Sequence, residues 1–230
     1  MHNNFLKRKD GIILTSIEII DQLGVQGLTI REIASRQGIS EAAIYRHFSN
    51  KTEILLATID FFSFYDTLLS RTINSQNMTA REGIKFLIQS YSQYYENYPA
   101  ISAVAFAQEA FLLEPEAWHK MVDVVDNRFQ FINKLVIEGQ NAGEINTNIS
   151  SESLVDMIFG SMHFITLRWR AHNYGFPLTE HVLATVSSLL EAYSPPQKEN
   201  RVVSTAQGND DCLPAKTGPF FEKKEILNTR

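Results

Sequence analysis

The chain has 230 residues, of which 44% are hydrophobic and 20% are charged, and its formal net charge is −5. This composition is that of a globular protein with one or two domains, and it excludes collagen-like and low-complexity chains. Cys212 is the single cysteine in the sequence, which excludes an intramolecular disulfide and a multi-cysteine zinc site. No apolar run approaches the ~20 residues of a membrane span and no apolar signal segment follows the polar N-terminus, so we expect a cytoplasmic protein.

Helical periodicity dominates the sequence as far as Tyr193, and no stretch shows the alternation of a β-strand. Breaks between the periodic stretches fall at Gly24, Gly38, Gly143 and Pro177. The predicted helices cover residues 9–23, 29–37, 40–48, 51–73, 79–95, 101–111, 115–141, 151–173 and 179–193. The predicted fold class is therefore all-α, with about nine helices and no sheet.

The strongest local pattern lies between Thr29 and Lys51, where two short helices are predicted on either side of Gly38. A tight turn between helices needs a positive φ, which glycine adopts at little cost. Ala34 is small enough for a close crossing of the two helices, and Ile44 has the spacing of an inward-facing residue of the second helix. Ile33, Ile39 and Phe48 complete a predicted miniature core. This spacing predicts a helix-turn-helix rather than an ordinary helical hairpin.

The outer face of the second helix is predicted to meet duplex DNA. It carries few bulky side chains, so it can approach a major groove closely. Arg46 is predicted to bond a guanine edge, and the methyl groups of Ala42 and Ala43 to touch thymine methyls. Ser40 lies at the N-terminus of the same helix, and Glu41 belongs to its outer face.

Phosphate contacts are predicted for Thr29, Tyr45 and Lys51. Thr29 and Lys51 each start a helix, where exposed amides and the helix dipole attract anions. The charge distribution supports a DNA-binding surface in the N-terminal segment. Residues 1–51 hold seven Lys and Arg against five Asp and Glu, whereas the whole chain is acidic.

The stretch LTIREIASRQGISEAAIYRHFSNKTEILL, residues 28–56, resembles the DNA-binding signature of the tetracycline-repressor (TetR) family of bacterial transcriptional regulators. The resemblance implies three N-terminal helices for DNA and a larger helical body that binds a small molecule and forms a dimer. It also implies phosphate contacts for Thr29, Tyr45, His47 and Lys51. The positions implied to lie near bases are Ser40, Glu41, Ala42, Ala43 and Arg46. The chain departs from the family at Ala42-Ala43, where many members carry glycine or a bulkier polar residue, and in the tail after Ser194.

Three segments follow from these patterns: a helix-turn-helix DNA-binding domain at 1–51, a helical ligand-binding and dimerisation domain at 52–194, and a linker or tail at 195–230. The tail holds four of the seven prolines and few large apolar residues. No role is assigned to the tail or to Cys212.

The body is rich in aromatic residues, which either fill its core or line an apolar cavity. We predict a cavity for a hydrophobic or aromatic effector. The candidate lining residues are Phe61, Phe64, Tyr65, Phe106, Gln108, Glu109, Arg128, Phe159 and His163. Among the polar ones His163 ranks first, because both of its flanks are apolar. No histidine has the paired spacing or carboxylate partner of a metal site, so neither a metal nor a cofactor is predicted.

The last two helices carry apolar residues on more than one face, and we predict that they form a homodimer interface. The residues in excess of one contact stripe are Leu154, Val155, Ile158, Met162, Ile165 and Trp169. A two-fold four-helix interface would cover them, and two-fold symmetry would place two heads in successive major grooves.

The predicted function is a ligand-responsive repressor that binds a palindromic operator as a dimer and is released by its effector. The alternative is a structural DNA-associated factor without an effector, since ISEAAIYRHFSNKT, residues 39–52, is similar to that stretch in nucleoid-occlusion members of the family. An enzyme is not predicted, because the sequence has no Gly-rich phosphate loop, nucleophile elbow or paired carboxylate motif.

Overall fold

A computed structural model describes residues 3–195 of the chain, with side chains from Arg8 onward except those of Gln108 and Glu109. The predicted tail lies outside the described residues after Pro195, and so does Cys212. Within residues 3–195 every regular element is a helix. The fold is all-α, as predicted, with an N-terminal helix-turn-helix followed by a larger helical domain.

The described residues form eleven helices. In chain order they are α1 (Asn3–Gly27), α2 (Ile30–Gln37), α3 (Glu41–Tyr45), α4 (Lys51–Ser63), α5 (Asp66–Ser75), α6 (Ala80–Asn97), α7 (Pro99–Phe106), α8 (Gln108–Phe111), α9 (Pro115–Asn141), α10 (Ser151–Ala171) and α11 (Leu178–Ala192). None of these helices combines the length and apolar character needed to cross a membrane.

Two of the predicted helices are each divided in the structure, so the predicted number of nine is too low. The helix predicted over 51–73 is broken at Phe64 and Tyr65, between α4 and α5. The break has a tertiary cause, since Arg128 donates to the carbonyl oxygen of Phe62 at 3.4 Å and to both carboxylate oxygens of Asp66.

The other differences concern the bounds of single helices. α3 ends at Tyr45, earlier than the predicted residue 48. The helix predicted over 101–111 is broken at Ala107, between α7 and α8. Gly24 does not end α1 but kinks it, with φ 70° and ψ 177°, and the chain continues helically to Gly27. α1 also begins at Asn3, earlier than the predicted residue 9.

Side-chain caps fix the ends of the helices in the helix-turn-helix. The Thr29 hydroxyl accepts a hydrogen bond from the Glu32 amide at 3.0 Å, and the Ser40 hydroxyl accepts one from the Ala43 amide at 3.3 Å. Between them Gly38 adopts φ 61° and ψ 35°, the left-handed conformation that the turn requires. These caps start α2 and α3 where the sequence predicted them.

The miniature core beneath the turn is formed as predicted. Ile33 and Ile44 are fully buried, and Phe48 and Ala34 are nearly so, whereas Ile39 is half-buried. These residues belong to the same core cluster as the buried isoleucines of α1, so α1 supports the whole helix-turn-helix.

Polar contacts also join α2 to α1. The Gln37 side-chain amide donates to the Gly11 carbonyl oxygen at 3.2 Å and to the Thr15 hydroxyl. Arg36 donates to the Gln22 side-chain oxygen at 2.8 Å. α2 is therefore held against α1 by both apolar packing and hydrogen bonds.

The apolar residues of α10 that exceed one contact stripe are buried within the single chain. Leu154, Val155, Ile158, Met162, Ile165 and Trp169 are at most 8% exposed. The expectation that they need a partner chain is therefore wrong. They pack against the other helices of the body, because α10 contacts both α9 and α11.

The left-handed turn at Gly38 leads to a stability prediction. A side chain added there would meet no atom within 4 Å, so Gly38→Ala tests backbone strain alone. We expect Gly38→Ala to lower the free energy of unfolding by about 1–2 kcal/mol in urea titrations. Gly38→Asn should cost clearly less, since asparagine tolerates this conformation. Equal losses for both variants would contradict the assignment of the effect to strain.

Candidate DNA-binding surface and effector cavity

The outer face of α3 is open to solvent. The exposed residues of this face are Ser40, Glu41, Ala42, Tyr45 and Arg46, and Ala43 is half-buried. Tyr45 is 53% exposed, whereas its neighbour Ile44 is completely buried. Because α3 has only five residues and its buried side is fixed by Ile44, these side chains form one short surface, called the α3 face below.

Basic residues surround the end of the α3 face at His47. Burial of this imidazole lowers its pKa, and the nearby charges of Arg46, Arg8 and Lys9 lower it further. At neutral pH the ring is therefore uncharged while the surrounding side chains remain positive. This cluster of cations creates the positive potential that a phosphate backbone requires.

Two other residues predicted to contact phosphate are already engaged within the chain. The Thr29 side chain caps α2, although the residue is exposed. Lys51 forms an ion pair with Glu114, with 3.1 Å between Nζ and a carboxylate oxygen. Lys51 is the first residue of α4, while Glu114 lies directly before α9, so this pair joins the end of the helix-turn-helix to the body.

A cavity of about 410 Å³ lies among α4, α6, α7, α9 and α10. Four of the predicted effector-binding residues line it: Phe106, Arg128, Phe159 and His163. The remaining lining residues were not predicted from the sequence. They are Phe62, Tyr91, Tyr95, Ala105, Val125, Phe129, Asp156, Gly160, Met162 and Thr166. Most of them are aromatic or apolar residues on helix faces that helical periodicity alone assigns to the core.

The other predicted effector residues lie elsewhere. Phe64 is 69% exposed at the break between α4 and α5, and Phe61 packs at the edge of the core. Tyr65 lines a smaller cavity of about 240 Å³ on the other side of Phe62. The side chains of Gln108 and Glu109 lie outside the described part of the chain.

Arg128 is the cationic residue that lines the larger cavity, and a carboxylate of the same chain balances its charge. It donates to the two carboxylate oxygens of Asp66 at 2.8 and 3.1 Å. Its guanidinium also lies 4.3 Å from the ring centroid of Phe62 and 4.7 Å from that of Tyr91. A bidentate pair between aromatic rings satisfies the cation without a ligand.

His163 stands at the mouth of the cavity. Its ring centroid lies 4.3 Å from that of Phe106, although the residue is exposed on its outer side. Desolvation lowers the pKa of His163, so the ring is neutral at pH 7. It therefore offers a hydrogen-bonding nitrogen next to an aromatic wall, without a charge.

Arg170 connects the cavity wall to α1. Its guanidinium donates to Asp21 of α1 at 2.7 Å and to the Ser102 hydroxyl of α7 at 2.7 Å. It also lies 5.9 Å from the ring centroid of Phe106, which lines the cavity. A continuous set of contacts thus runs from the cavity to the helix that supports the helix-turn-helix.

Among the residues that the structure describes, no group of three or more His, Cys, Asp or Glu side chains could hold a metal ion.

Two family models together cover most of the described chain. The model of the bacterial regulatory proteins of the tetR family matches residues 12–58. The model of the YsiA-like protein C-terminal region matches residues 64–192.

Two curated relatives are similar to different extents. The class C tetracycline repressor protein of Escherichia coli is 32% identical over 75 residues, which cover 33% of this chain and 31% of that protein. The nucleoid occlusion factor SlmA of Vibrio cholerae is 22% identical over 169 residues, which cover 70% of this chain and 85% of that protein. The first similarity is local and stronger, and the second is extended and weaker.

Solved structures share the fold. The fatty acid degradation regulator FadR from Bacillus halodurans superimposes with a TM-score of 0.67 at 22% identity, covering 79% of this chain and 94% of that one. FadR from Bacillus subtilis in complex with stearoyl-CoA gives a TM-score of 0.62 at 18% identity, covering 78% of this chain and 96% of that one. At these identities the comparison establishes the fold alone.

The Asp66–Arg128 pair leads to a second stability prediction. Their side chains are 25% and 12% exposed, so Asp66→Asn leaves a largely buried guanidinium without its counter-charge. We expect a loss of about 2–3 kcal/mol in the free energy of unfolding, measured by urea titration. Asp126→Asn, on the exposed side of α9, is the control and should change little. A loss below ~0.5 kcal/mol for Asp66→Asn would show that water already screens the pair.

Proposed function

The chain belongs to the TetR family of bacterial regulatory proteins, and from this premise we propose that it is a repressor released from DNA by a small hydrophobic effector. The observation that carries the proposal is that one chain holds both an exposed helix face and an aromatic cavity. The exposed α3 face lies on a capped helix-turn-helix, and the aromatic cavity of about 410 Å³ lies in the body. The matched families are regulators, and the proposal assigns no catalytic step to the chain.

The proposed DNA contacts follow the exposure of the α3 face. Ser40, Glu41, Ala42, Ala43 and Arg46 are assigned to the base edges of the major groove, with Arg46 bonding a guanine. Its position at the end of α3 and its exposure suit bidentate contact with that base. In this proposal residues 1–51 are the DNA-binding domain and 52–194 the ligand-binding and dimerisation domain.

The phosphate contacts are assigned to Thr29, Tyr45, His47 and Lys51. The exposed phenol of Tyr45 supports this assignment, as do the cations around His47. Lys51 is paired with Glu114, and this carboxylate offsets part of the attraction of the ammonium for a phosphate.

The homodimer is proposed through the outer faces of α10 and α11. On α10 the exposed apolar residues are Phe164 at 64%, Leu167 at 47% and Met157 at 39%. The exposed residues of α11 include the small Ala184 and Ser188, which let a second helix approach closely. Two copies of this face would bury these side chains in a two-fold four-helix interface.

The chemistry of the cavity limits the part of the effector that enters it. The wall is mainly aromatic and apolar, Arg128 is neutralised by Asp66, and His163 is uncharged at neutral pH because its pKa is lowered. An anionic group would therefore find no free counter-ion in Arg128 or His163, whereas the exposed carboxylate of Asp156 also lines the cavity. We propose that an uncharged hydrophobic or aromatic group of the effector occupies the cavity. Its entry releases the protein from the operator.

A nucleoid-occlusion role without an effector is the second candidate. It is supported by the extended similarity to SlmA over 70% of this chain. The aromatic cavity favours the effector-responsive repressor instead. A genome-wide binding map distinguishes the two, because dispersed chromosomal sites support nucleoid occlusion whereas one or a few promoter sites support a local repressor.

The assignment of Arg46 to a base leads to a specificity prediction. Arg46→Ala should relax the preference at one base position per half-site by about 1–3 kcal/mol. The measurement is the Kd for a duplex selected by the wild-type protein and for its single-base variants. Arg71→Ala, an exposed arginine of α5, is the matched control and should leave the preference unchanged. An unaltered base preference for Arg46→Ala would remove the α3 face from base recognition.

The cavity assignment leads to a ligand prediction. A ligand at ~100 times its Kd should raise the Tm of the protein by about 5–10 °C. Long-chain acyl-CoA, aromatic and cationic hydrophobic compounds are compared, the first because stearoyl-CoA is bound to the similar FadR structure. Ala105→Phe, which fills the cavity wall, should abolish the shift, whereas Ala142→Phe outside the cavity should retain it. No shift with any class would count against an effector site.

The dimer assignment predicts a change of oligomeric state. The wild-type protein should sediment as a dimer at micromolar concentration, and Phe164→Glu should sediment as a monomer because a charge replaces an apolar contact. Phe64→Glu, a residue of similar exposure on the α4–α5 break, is the control and should remain dimeric. A monomeric wild type would overturn the proposed interface.

A further inference from the structure

We propose that Glu114 is an internal competitor of the DNA backbone for Lys51 and thereby sets the affinity of this protein for its operator. The inference rests on the proposed DNA binding, and it adds a residue of the body to the determinants of affinity. Its basis is the Lys51–Glu114 ion pair at 3.1 Å, reinforced by the Thr52 hydroxyl, which donates to the second carboxylate oxygen at 3.4 Å.

The ion pair occupies an anion-binding position. Lys51 begins α4, where the free amides and the helix dipole favour a phosphate. The Asn50 side chain already accepts from the Glu53 amide at 2.8 Å, and the Glu53 carboxylate accepts from the Ser49 amide at 2.6 Å. Glu114 is therefore the acid of this region whose carboxylate is directed at the lysine ammonium.

The local structure of Glu114 does not otherwise require a carboxylate. Glu114 is the N-cap residue of α9, but its side chain makes no capping hydrogen bond. A glutamine could still accept the Thr52 hydroxyl bond through its amide oxygen. The negative charge thus acts mainly on Lys51, and it can be removed without removing a helix cap.

Competition follows from the geometry of the pair. A carboxylate at 3.1 Å from the ammonium occupies one of its three N–H donors, offsets its charge and repels an approaching phosphate oxygen. The side chains of Lys51 and Glu114 are 33% and 24% exposed, so water screens the pair and its effect is modest. Removing the charge should tighten DNA binding about two- to fivefold.

The pair also belongs to a seam along two helices of the body. α4 and α9 run side by side, and Lys120 of α9 pairs with Asp60 of α4 at 2.6 Å. Further along, Arg128 of α9 pairs with Asp66 at the effector cavity. The acid that competes for Lys51 therefore directly precedes α9, the helix that contributes Val125, Arg128 and Phe129 to the cavity lining.

The experiment measures the Kd for a duplex selected from a random library by the wild-type protein, using fluorescence anisotropy at fixed salt. Glu114→Gln should lower the Kd about two- to fivefold. Glu116→Gln, which removes the same charge two residues away at an exposed position, should change it by less than about 1.5-fold. In a Lys51→Met background, Glu114→Gln should leave the Kd unchanged.

The outcomes separate this inference from the proposed function. An unchanged or raised Kd for Glu114→Gln would overturn the inference, and so would equal tightening in the Lys51→Met background or by Glu116→Gln. If the wild-type protein selects no duplex at all, the proposed DNA-binding function fails first. If it selects one whose base preference depends on Arg46, the function stands whatever the result at Glu114.

Discussion

Burial of Ile33, Ile44 and Phe48 beneath the helix-turn-helix determines which side of α3 faces solvent. α3 is only five residues long, so it cannot be stable by itself. Its orientation comes from Ile44, which is completely buried in the same core cluster as the isoleucines of α1. The α3 face is therefore as well defined as that core. The caps at Thr29 and Ser40 add to this by fixing where α2 and α3 begin.

Several charged side chains of the body are paired within the chain. Arg128, which lines the cavity, is paired with Asp66. Lys51, which begins α4, is paired with Glu114, which directly precedes α9. Arg170 is shared between Asp21 and Ser102, and it joins α1 to the cavity wall. These pairs join α1 to α7 and α10, and the start of α4 to the start of α9.

Short-range patterns predicted the helix-turn-helix well, because its determinants lie within a few residues of one another. The caps at Thr29 and Ser40, the left-handed Gly38 and the buried Ile44 are all where the sequence placed them. Spacing alone could not give the break between α4 and α5, since neither glycine nor proline marks it. The break depends on Arg128, which lies more than 60 residues away in the chain.

Long-range pairing also limited the prediction of the candidate sites. The Lys51–Glu114 pair joins residues far apart in sequence. The sequence therefore predicted a phosphate contact for Lys51 but not its partner within the chain. On α10, periodicity identified apolar residues but not which of them a single chain buries. Trp169 is inside the body, whereas Phe164 is outside it. The cavity mixes residues of five helices, which no pattern within one helix could bring together.

Affinity cleavage of DNA from position 42 is the most direct test of the α3 face as the surface that enters the major groove. An iron chelate is attached to Ala42→Cys in a Cys212→Ser background and bound to the selected duplex. If the α3 face enters the major groove, the cuts form two clusters related by two-fold symmetry, separated by one helical turn of roughly 34 Å or a small multiple of it. Cuts in a single cluster, or bound DNA without localised cuts, would contradict it.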